Sequence, residues 1–335
     1  MQILHGLEGL SRVPQGAAAS IGNFDGVHLG HQRILKTARQ LADQSEARAL
    51  VVVTFEPHPS TVLRPRQAPP RLTPPAIKQP LLESAGADYL VVLPPEPQVL
   101  NLTAEQFWHI LRDQMRVSHL VEGSTFRFGK GAAGNVQLLR EWSAGSNFHL
   151  HVVDSVEVAL LDMRFAAVHS SLIRFLLEFG RVRDAAIGLG RPYSLSGTVG
   201  RGAARGRKIG FPTANLQTGD QMLPAQAVYA GRCRIDDRIY PAAVSIGTNP
   251  TFGDHTIQVE AHLLGFDGDL YDRQIDLELL DWVRDQRKFP NVQSLKSQIE
   301  KDIARCVEWV DRDPSRPITC EYMPTPQVTA SVQTP

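Results

Sequence analysis

The sequence predicts an α/β protein of two domains: a mostly parallel sheet flanked by helices, followed by a closed antiparallel β-barrel. In the first half, strand-like apolar runs alternate with helical patterns, which is typical of a parallel sheet. After Gly180 the apolar runs are short, often alternating and separated by turn residues, which favours a barrel without exposed edges. The length of 335 residues suits two cores. We expect domains at 1–183 and 184–312, then a loosely ordered tail, rich in Pro, Thr and Ser, at 313–335.

The first half contains the strands of the predicted sheet. The apolar runs lie at 17–21, 49–55, 89–93, 118–121 and 149–153. After the first run, apolar residues recur at helical spacing from Ile34 to Ala42, which predicts a helix. A capping box at Thr103 begins another helix, and a third covers 136–142. The proline-rich segment 57–75 is predicted to be a long loop near the ligand edge of the sheet.

The second half contains the strands of the predicted barrel. The runs 228–235 and 238–246, joined by Asp236 and Asp237, are predicted to form a hairpin. Two further strands are predicted at 259–264 and 274–283. A final helix is predicted from four apolar residues that share one face, namely Leu295, Ile299, Ile303 and Cys306.

Composition limits the classes of partner and location. The 35 basic and 35 acidic residues give a net charge of zero, so no global field attracts nucleic acid or an anionic membrane. No apolar run approaches the roughly 20 residues that span a bilayer, and the first residues do not form a secretion signal. The three cysteines are scattered and lie outside any C-x-x-C pair. We therefore expect a cytoplasmic protein without nucleic-acid or membrane partners, and leave oligomerisation open.

The segment 22–31 contains the most informative motif of the chain. A strand, a glycine-bearing turn and the start of a helix form a place to hold a phosphate, because free N–H groups and the helix dipole attract an anion. His28 and His31 are predicted to share one side of the first helical turn and to donate hydrogen bonds to a phosphate oxygen. A capped helix end or a surface pair is the alternative. A metal site lacks a third ligand at a recognisable spacing.

Three further segments of the first half are candidates for ligand contact. Phe55 and Pro57 lie where the strand 49–55 ends, although a strand exit interrupted by prolines has the same pattern. Phe126 and Phe128 stand beside Arg127 and Lys130, which suits a phosphate or a flat ring, although a basic loop solvated at the surface has the same pattern. Hydroxyls at a helix cap and an arginine one turn later predict a second anion site, formed by Ser170, Ser171 and Arg174.

The second half carries a glycine- and arginine-rich loop at 197–210. Such a loop lets the backbone approach phosphates closely, but it is not a P-loop, because no Lys-Ser or Lys-Thr pair follows its glycines. Taken alone, it is equally typical of a linker or of a loop that contacts RNA.

The motifs of the first half, taken in order, resemble those of the bacterial FAD synthetases. The order is H-x-G-H at 28–31, T-F-x-P-H-P at 54–59, F-R-F-G-K at 126–130 and S-S-L-I-R at 170–174. The resemblance implies a Rossmann-like nucleotidyltransferase domain that moves AMP from ATP onto FMN and releases pyrophosphate. It implies that His28 and His31 are catalytic, acting on the ATP phosphates. The implied ATP- and phosphate-binding residues are Gly22, Asn23, Phe24, Asp25, Gly30, Ser170, Ser171 and Arg174, and the implied flavin-binding residues are Phe55, Pro57, Phe126 and Phe128.

The segment 210–215, G-F-P-T-A-N, resembles the corresponding element of riboflavin kinases, and the likeness continues to about residue 306. It includes V-S-I-G-T-N-P-T-F at 244–252 and V-E-A-H at 259–262. The resemblance implies a six-stranded barrel that phosphorylates riboflavin with ATP. Glu260 would be the base for the ribityl hydroxyl. Thr213 and Asn215 would hold Mg²⁺, and Arg284 would contact the flavin. The remaining implied ATP-binding residues are Gly200, Lys208 and Gly210, together with Asn215.

The sequence therefore predicts a bifunctional enzyme of FAD synthesis with two triphosphate pockets, the second in the barrel mouth. Riboflavin, FMN, FAD and ATP are its expected ligands, with Mg²⁺ arriving with ATP and the flavins as substrate and product rather than prosthetic group. The alternative is a riboflavin kinase with a weakened or inactive first domain. Thr125 stands where similar proteins usually carry Asp or Asn, and His169 stands where they usually carry Ser. An RNA-binding or scaffold protein that uses the loop 201–208 is a further alternative.

Overall fold

The structure, a computed structural model, describes residues 1–202, 205–249 and 254–311. The predicted tail at 313–335 and the segment 250–252 of the kinase-like motif lie outside these ranges.

The first half is built on a six-stranded parallel sheet with the order β1-β4-β3-β2-β5-β8. The strands of this half are β1 (Gln2–His5), β2 (Ala18–Ile21), β3 (Leu50–Phe55), β4 (Tyr89–Leu93), β5 (His119–Gly123), β6 (Arg127–Phe128), β7 (Gly134–Asn135), β8 (His149–Val153), β9 (Glu157–Ala159) and β10 (Phe165–Ala167). The pairs β6/β7 and β9/β10 are small antiparallel additions. Separate apolar clusters pack on the two faces of the sheet, so helices cover both, as predicted.

Helices connect the strands and extend into the second half. They are α1 (Gly6–Leu10), α2 (Leu29–Gln44), α3 (Ser60–Leu63), α4 (Pro75–Ser84), α5 (Pro97–Leu100), α6 (Ala104–His109), α7 (Val136–Ser143), α8 (Ser170–Glu178), α9 (Val182–Leu189), α10 (Arg205–Lys208) and α11 (Val292–Asp311). Helix α2 follows β2 directly and buries Leu35, Ala38 and Ala42 against the sheet. Among the described residues, none of the helices has both the length and the apolar character needed to cross a membrane.

The second half forms a closed antiparallel barrel, as predicted, with the order β11-β12-β15-β14-β13-β16. Its strands are β11 (Tyr193–Gly200), β12 (Ala214–Gln217), β13 (Ala227–Ile235), β14 (Arg238–Asn249), β15 (Asp254–Leu263) and β16 (Gln274–Asp285). Apolar side chains fill its interior, and α11 packs outside through Cys306.

Three features differ from the prediction or go beyond it. Strand β1 was not predicted, because it is a short edge strand with Leu4 as its one buried residue. The segment 57–75 contains α3 and a 3₁₀ turn at Pro65–Gln67 rather than loop alone. The largest apolar cluster joins the two halves, since Leu72 and Ile173 pack in the same core as the barrel residue Leu195.

Candidate active sites

The segment 22–31 forms the turn between β2 and α2 that the sequence predicts. His28 is the N-cap of α2, and its Nδ1 accepts a long hydrogen bond of 3.4 Å from the backbone N–H of His31. The two imidazole rings are stacked, with centroids 3.7 Å apart and planes 19° apart. The helix start therefore presents two adjacent imidazoles, and it is also the capped helix end that the alternative interpretation predicted.

Both histidines are neutral at pH 7. Burial is the main cause that lowers the pKa of His28 to about 4, and the neighbouring His169 and Arg191 lower it further. Burial also places the pKa of His31 well below its ordinary value. Because the Nδ1 of His28 is an acceptor, its proton is on Nε2, which is a neutral donor for a phosphate oxygen.

Asp25 joins the turn to the segment before α4 and to α8. Its carboxylate is buried and accepts from the backbone N–H groups of Leu72 at 3.0 Å and of Thr73 at 2.9 Å. The guanidinium of Arg174 pairs with the same carboxylate, and the hydroxyl of Ser170 donates to the backbone carbonyl of Asp25 at 2.8 Å. The structure thus brings Arg174 and Ser170 to the His28 turn.

The start of α8 differs in detail from the sequence prediction. The cap is His169 rather than a serine hydroxyl, and its Nδ1 accepts from the backbone N–H of Leu172 at 3.0 Å. Ser170 is the first helical residue and Ser171 is exposed. His169, the departure from similar proteins, therefore retains the capping function of the serine it replaces.

A cavity of about 230 Å³ opens between the turn, the end of β3 and the segment before α4. Three of the predicted site residues, Asn23, Asp25 and Phe55, line it, and the Oδ1 of Asn23 is buried without a protein partner among the described residues. Other lining residues are Glu56, His58, Thr61, Arg71, Lys78 and Asp220. Glu56 and His58 belong to the quoted T-F-x-P-H-P motif. Nothing in the local sequence of Lys78 or Asp220 indicates a ligand site.

The remaining predicted flavin residues of the first half occupy different environments. Pro57 is exposed just beyond β3. Phe128 is buried in the core, with its ring 5.1 Å from that of Phe107, and Phe126 stacks on Phe128 at 5.7 Å. Thr125 is exposed. Phe126 is half-buried, and it packs against the core through the ring of Phe128.

In the barrel, the strand register aligns residues that lie far apart in the sequence. One row of directly paired residues crosses all six strands, namely Gly200, Asn215, Glu260, Ser245, Val228 and Arg284. Gly200, Asn215, Glu260 and Arg284 are all predicted site residues. Directly opposed side chains on adjacent strands share one face and lie about 5 Å apart, so Asn215 and Glu260 are neighbours.

This row lies on the outer face of the barrel and not in its packed interior. Val259 and Ala261, which flank Glu260, belong to the packed interior, and side chains alternate along a strand. Glu260 is half-buried on the opposite face. Because apolar side chains fill the interior, the Glu260 carboxylate is accessible from the outer surface of the barrel.

The segment before β12 borders this row. The hydroxyl of Thr213 donates to the Oε2 of Glu260 at 3.4 Å, and His262 contacts the Pro212 carbonyl at 2.7 Å. Gly210 has φ +92°, a left-handed conformation that glycine adopts without strain. The Lys208 side chain lies outside the described part of the structure.

Arg284 is held at the other end of the row by α11. Its guanidinium pairs with the buried carboxylate of Asp302 through Nε at 2.9 Å and Nη2 at 2.8 Å, and it lies over the ring of Phe289. The amide of Gln286 donates to the Ser245 hydroxyl at 2.8 Å. Sequence reasoning did not find Asp302, because only the tertiary pairing brings it to the site. Ser245 and His262 belong to the quoted motifs at 244–252 and 259–262 but were not predicted as site residues.

The two halves define a class: a parallel sheet of the nucleotidyltransferase kind, with a glycine-bearing turn before a helix, joined to a closed six-stranded antiparallel barrel. Two family models agree with this division. One, described as FAD synthetase, matches residues 10–163, and the other, described as riboflavin kinase, matches residues 189–310.

Curated proteins carry both parts on one chain. A "Bifunctional riboflavin kinase/FMN adenylyltransferase" of Haemophilus influenzae is 35% identical over 309 residues, covering 90% of this chain and 97% of the relative. The protein of that description from Escherichia coli K12 is 34% identical over 307 residues, covering 90% and 96%. The chain belongs to the family of bifunctional riboflavin kinase/FMN adenylyltransferases. The family predicted from the motifs is confirmed.

A solved structure shares the fold of both halves. It comes from Streptococcus pneumoniae and is described as a macrolide-efflux protein. It is similar to this chain with a TM-score of 0.80 and 28% sequence identity, over 92% of this chain and 100% of that chain.

Proposed function

We propose that this chain catalyses two consecutive steps of FAD synthesis: the barrel phosphorylates riboflavin to FMN, and the sheet domain adenylates FMN to FAD. Both steps consume ATP, and the second releases pyrophosphate. The observation that supports this most strongly is the presence, on one chain, of the His28 turn and the Glu260 row.

In the kinase step, Glu260 is the proposed base. An alcohol is a poor nucleophile, and a carboxylate within hydrogen-bond reach takes its proton as the oxygen attacks the γ-phosphate. The half-buried position of Glu260 on the outer face leaves it accessible to a ribityl chain. Arg284, fixed by Asp302, is proposed to contact the flavin at the far end of the row.

Mg²⁺ is proposed to arrive with ATP at Thr213 and Asn215. The hydroxyl, amide and carboxylate oxygens of Thr213, Asn215 and Glu260 are hard donors of the type that this ion prefers. No cluster of three His, Cys, Asp or Glu residues within the described ranges could hold a metal ion by itself. This donor set fits an ion that is shared with substrate phosphates, where it neutralises charge on the transferred group.

In the adenylyl step, the chain is proposed to supply position and neutral donors rather than a nucleophile. FMN already carries a phosphate anion, so no base is needed. His28 and His31 donate to the ATP phosphates from the start of α2, where the helix dipole adds to the attraction. Asp25 acts indirectly, since its carboxylate is occupied by backbone donors and by Arg174, which it aims at the departing pyrophosphate.

The flavins are proposed to be substrate and product, not prosthetic groups. A cytoplasmic location is proposed as well, supported by the buried free thiols of Cys233 and Cys306, which suit a reducing compartment.

Product analysis with matched variants tests the proposal. The full chain is incubated with riboflavin, ATP and Mg²⁺, and the flavins are separated by chromatography. Glu260→Gln is expected to lower FMN formation at least about a hundredfold, because a general base contributes that much or more, while added FMN is still converted to FAD. Replacing His28 and His31 together by Ala is expected to stop the reaction at FMN. Glu300→Gln, on the exposed face of α11, is the control and should change neither step.

The outcomes separate the alternatives. Wild-type chain that stops at FMN favours a kinase with a weakened first domain. Equal loss of both steps in a folded Glu260→Gln chain contradicts two separate sites. Salt-dependent RNA binding without flavin turnover favours the scaffold alternative.

A further inference from the structure

The turn that carries His28 has an unfavourable backbone conformation. Phe24 has φ +47° and Val27 has φ +39°, whereas only Gly26, with φ +89°, is a residue that accepts this region freely. A β-branched residue such as Val27 is rarely found there, and such conformations persist only where the surroundings fix them. Groups that hold this turn therefore determine where the His28 imidazole lies.

Arg191 is one of those groups, and it belongs to the barrel half. It lies between the end of α9 and the start of β11. Its Nη2 donates to the Gly26 carbonyl at 2.7 Å and its Nη1 to the Val27 carbonyl at 3.1 Å. The Val27 carbonyl also accepts from the Gln32 amide at 2.8 Å. Burial lowers the pKa of Arg191 to about 10, so the guanidinium is charged at neutral pH.

Gln221 holds the other side of the site, also from the barrel half. Its Nε2 donates to the Leu72 carbonyl at 3.1 Å and to the Ser194 carbonyl at 2.7 Å, and its Oε1 accepts from the Ser196 N–H at 2.9 Å. Leu72 in turn donates its N–H to the carboxylate of Asp25. Strand β11 therefore anchors, through one buried amide, the backbone that holds Asp25.

We propose that Arg191 and Gln221 are positioning residues of the adenylyl-transfer site, supplied by the barrel half of the chain. Neither touches the reacting phosphates: Arg191 acts through His28 and Gln221 through Asp25. The proposal rests on the proposed adenylyl transfer in the sheet domain. It predicts that the two residues govern FAD formation although both lie in the part of the chain that matches the riboflavin kinase family model.

The positive charge of Arg191 gives this role a signature that simple structural support lacks. Arg191 is among the groups that lower the pKa of both His28 and His31. Removing the charge while keeping an apolar side chain of similar length raises these pKa values. The acid limb of FAD formation then moves to higher pH.

The test uses the full-length variants Arg191→Met, Arg191→Lys and Gln221→Leu, with Arg234→Met on the exposed part of β13 as the matched control. Riboflavin phosphorylation and FMN adenylylation are measured separately from about pH 3.5 to 8, a range that includes the His28 pKa of about 4. We expect kcat for adenylylation to fall about tenfold to a hundredfold in Arg191→Met and Gln221→Leu, as for a misplaced catalytic group. Phosphorylation should stay within about twofold. The acid limb should move up in Arg191→Met only, because Arg191→Lys keeps the charge.

Results that differ from these expectations overturn either the positioning role or the proposed adenylyl transfer, and the following outcomes distinguish the two claims. Unchanged adenylylation in Arg191→Met and Gln221→Leu overturns the positioning role if replacing His28 and His31 together by Ala still abolishes this step. Equal loss of both reactions in Arg191→Met and Gln221→Leu overturns it as well. A wild-type chain without FAD formation overturns the proposed function. NMR titration of the His28 Cε1–H then still tests the Arg191 contact, since an unchanged midpoint in Arg191→Met contradicts it.

Discussion

Acidification should weaken this fold through His28 by an amount that its burial sets. The imidazole is neutral in the native state because burial lowers its pKa from 6.5 to about 4. Between these two values the unfolded chain binds the proton and the folded chain does not, so stability is complete above about pH 6.5 and falls as the pH decreases towards 4. At pH 5, proton binding by the unfolded chain shifts the unfolding equilibrium about thirtyfold, which lowers the free energy of unfolding by about 2 kcal/mol.

The variant His28→Asn isolates this contribution. Asparagine is a good N-cap and never takes a proton, so the start of α2 is retained while the titration is removed. Urea unfolding at pH 7.5 and pH 5.0, followed by circular dichroism, gives the loss of stability for each chain. The wild-type loss should exceed that of His28→Asn by about 2 kcal/mol.

His5→Asn, which removes an exposed imidazole, is the matched control and should lose as much stability as the wild type. Equal losses in wild type and His28→Asn would refute the reasoning, because His28 would then be protonated as readily in the folded chain as in the unfolded one.

Two further substitutions probe the two sites separately. An alanine Cβ at Gly30 would lie 3.1 Å from the His28 ring and 3.3 Å from the Val168 carbonyl, so Gly30→Ala should displace the imidazole; FAD formation measured from FMN should fall about tenfold or more, with riboflavin phosphorylation unchanged. Asp302→Ala leaves the Arg284 guanidinium without its buried partner and should lower the free energy of urea unfolding by about 3 kcal/mol, whereas Asp302→Asn, which retains a hydrogen-bond acceptor, should cost less. Retention of wild-type FAD formation in Gly30→Ala, or of wild-type stability in Asp302→Ala, would contradict these assignments.

The sequence predicted those elements whose stabilising contacts lie between residues close together in the chain. The turn 22–31 contains its own strand end, glycines and helix start, so the position of His28 at the first helical turn followed from adjacent residues. The capping box at Thr103 is another such case, since both partners lie within one turn. The serine cap of α8 was a wrong prediction for the same local reason: an imidazole one residue earlier accepts the same backbone hydrogen bond.

Long-range pairing determined what the sequence could not predict. The neighbours of β15 are β12 and β14, so Glu260 meets Asn215 and Ser245 only after the barrel closes. Whether Glu260 faces inward or outward depends on the residues that fill the interior, and alternation alone leaves both faces open. Lys78 and Asp220 reach the first cavity from distant segments for the same reason.

The two sites treat their carboxylates in opposite ways, and the chemistry of each step explains why. An unpaired carboxylate beside a polyphosphate repels it, so the sheet domain, which needs no base, occupies Asp25 with backbone donors and Arg174. The barrel step must remove a proton from a hydroxyl, and there Glu260 stays half-buried and, among the described residues, accepts a long hydrogen bond of 3.4 Å from Thr213. The proposed Mg²⁺ donors Thr213 and Asn215 lie beside this carboxylate, where a cation offsets the repulsion between it and ATP. The difference between a paired and an available carboxylate therefore follows from whether the nucleophile of each step arrives as an anion.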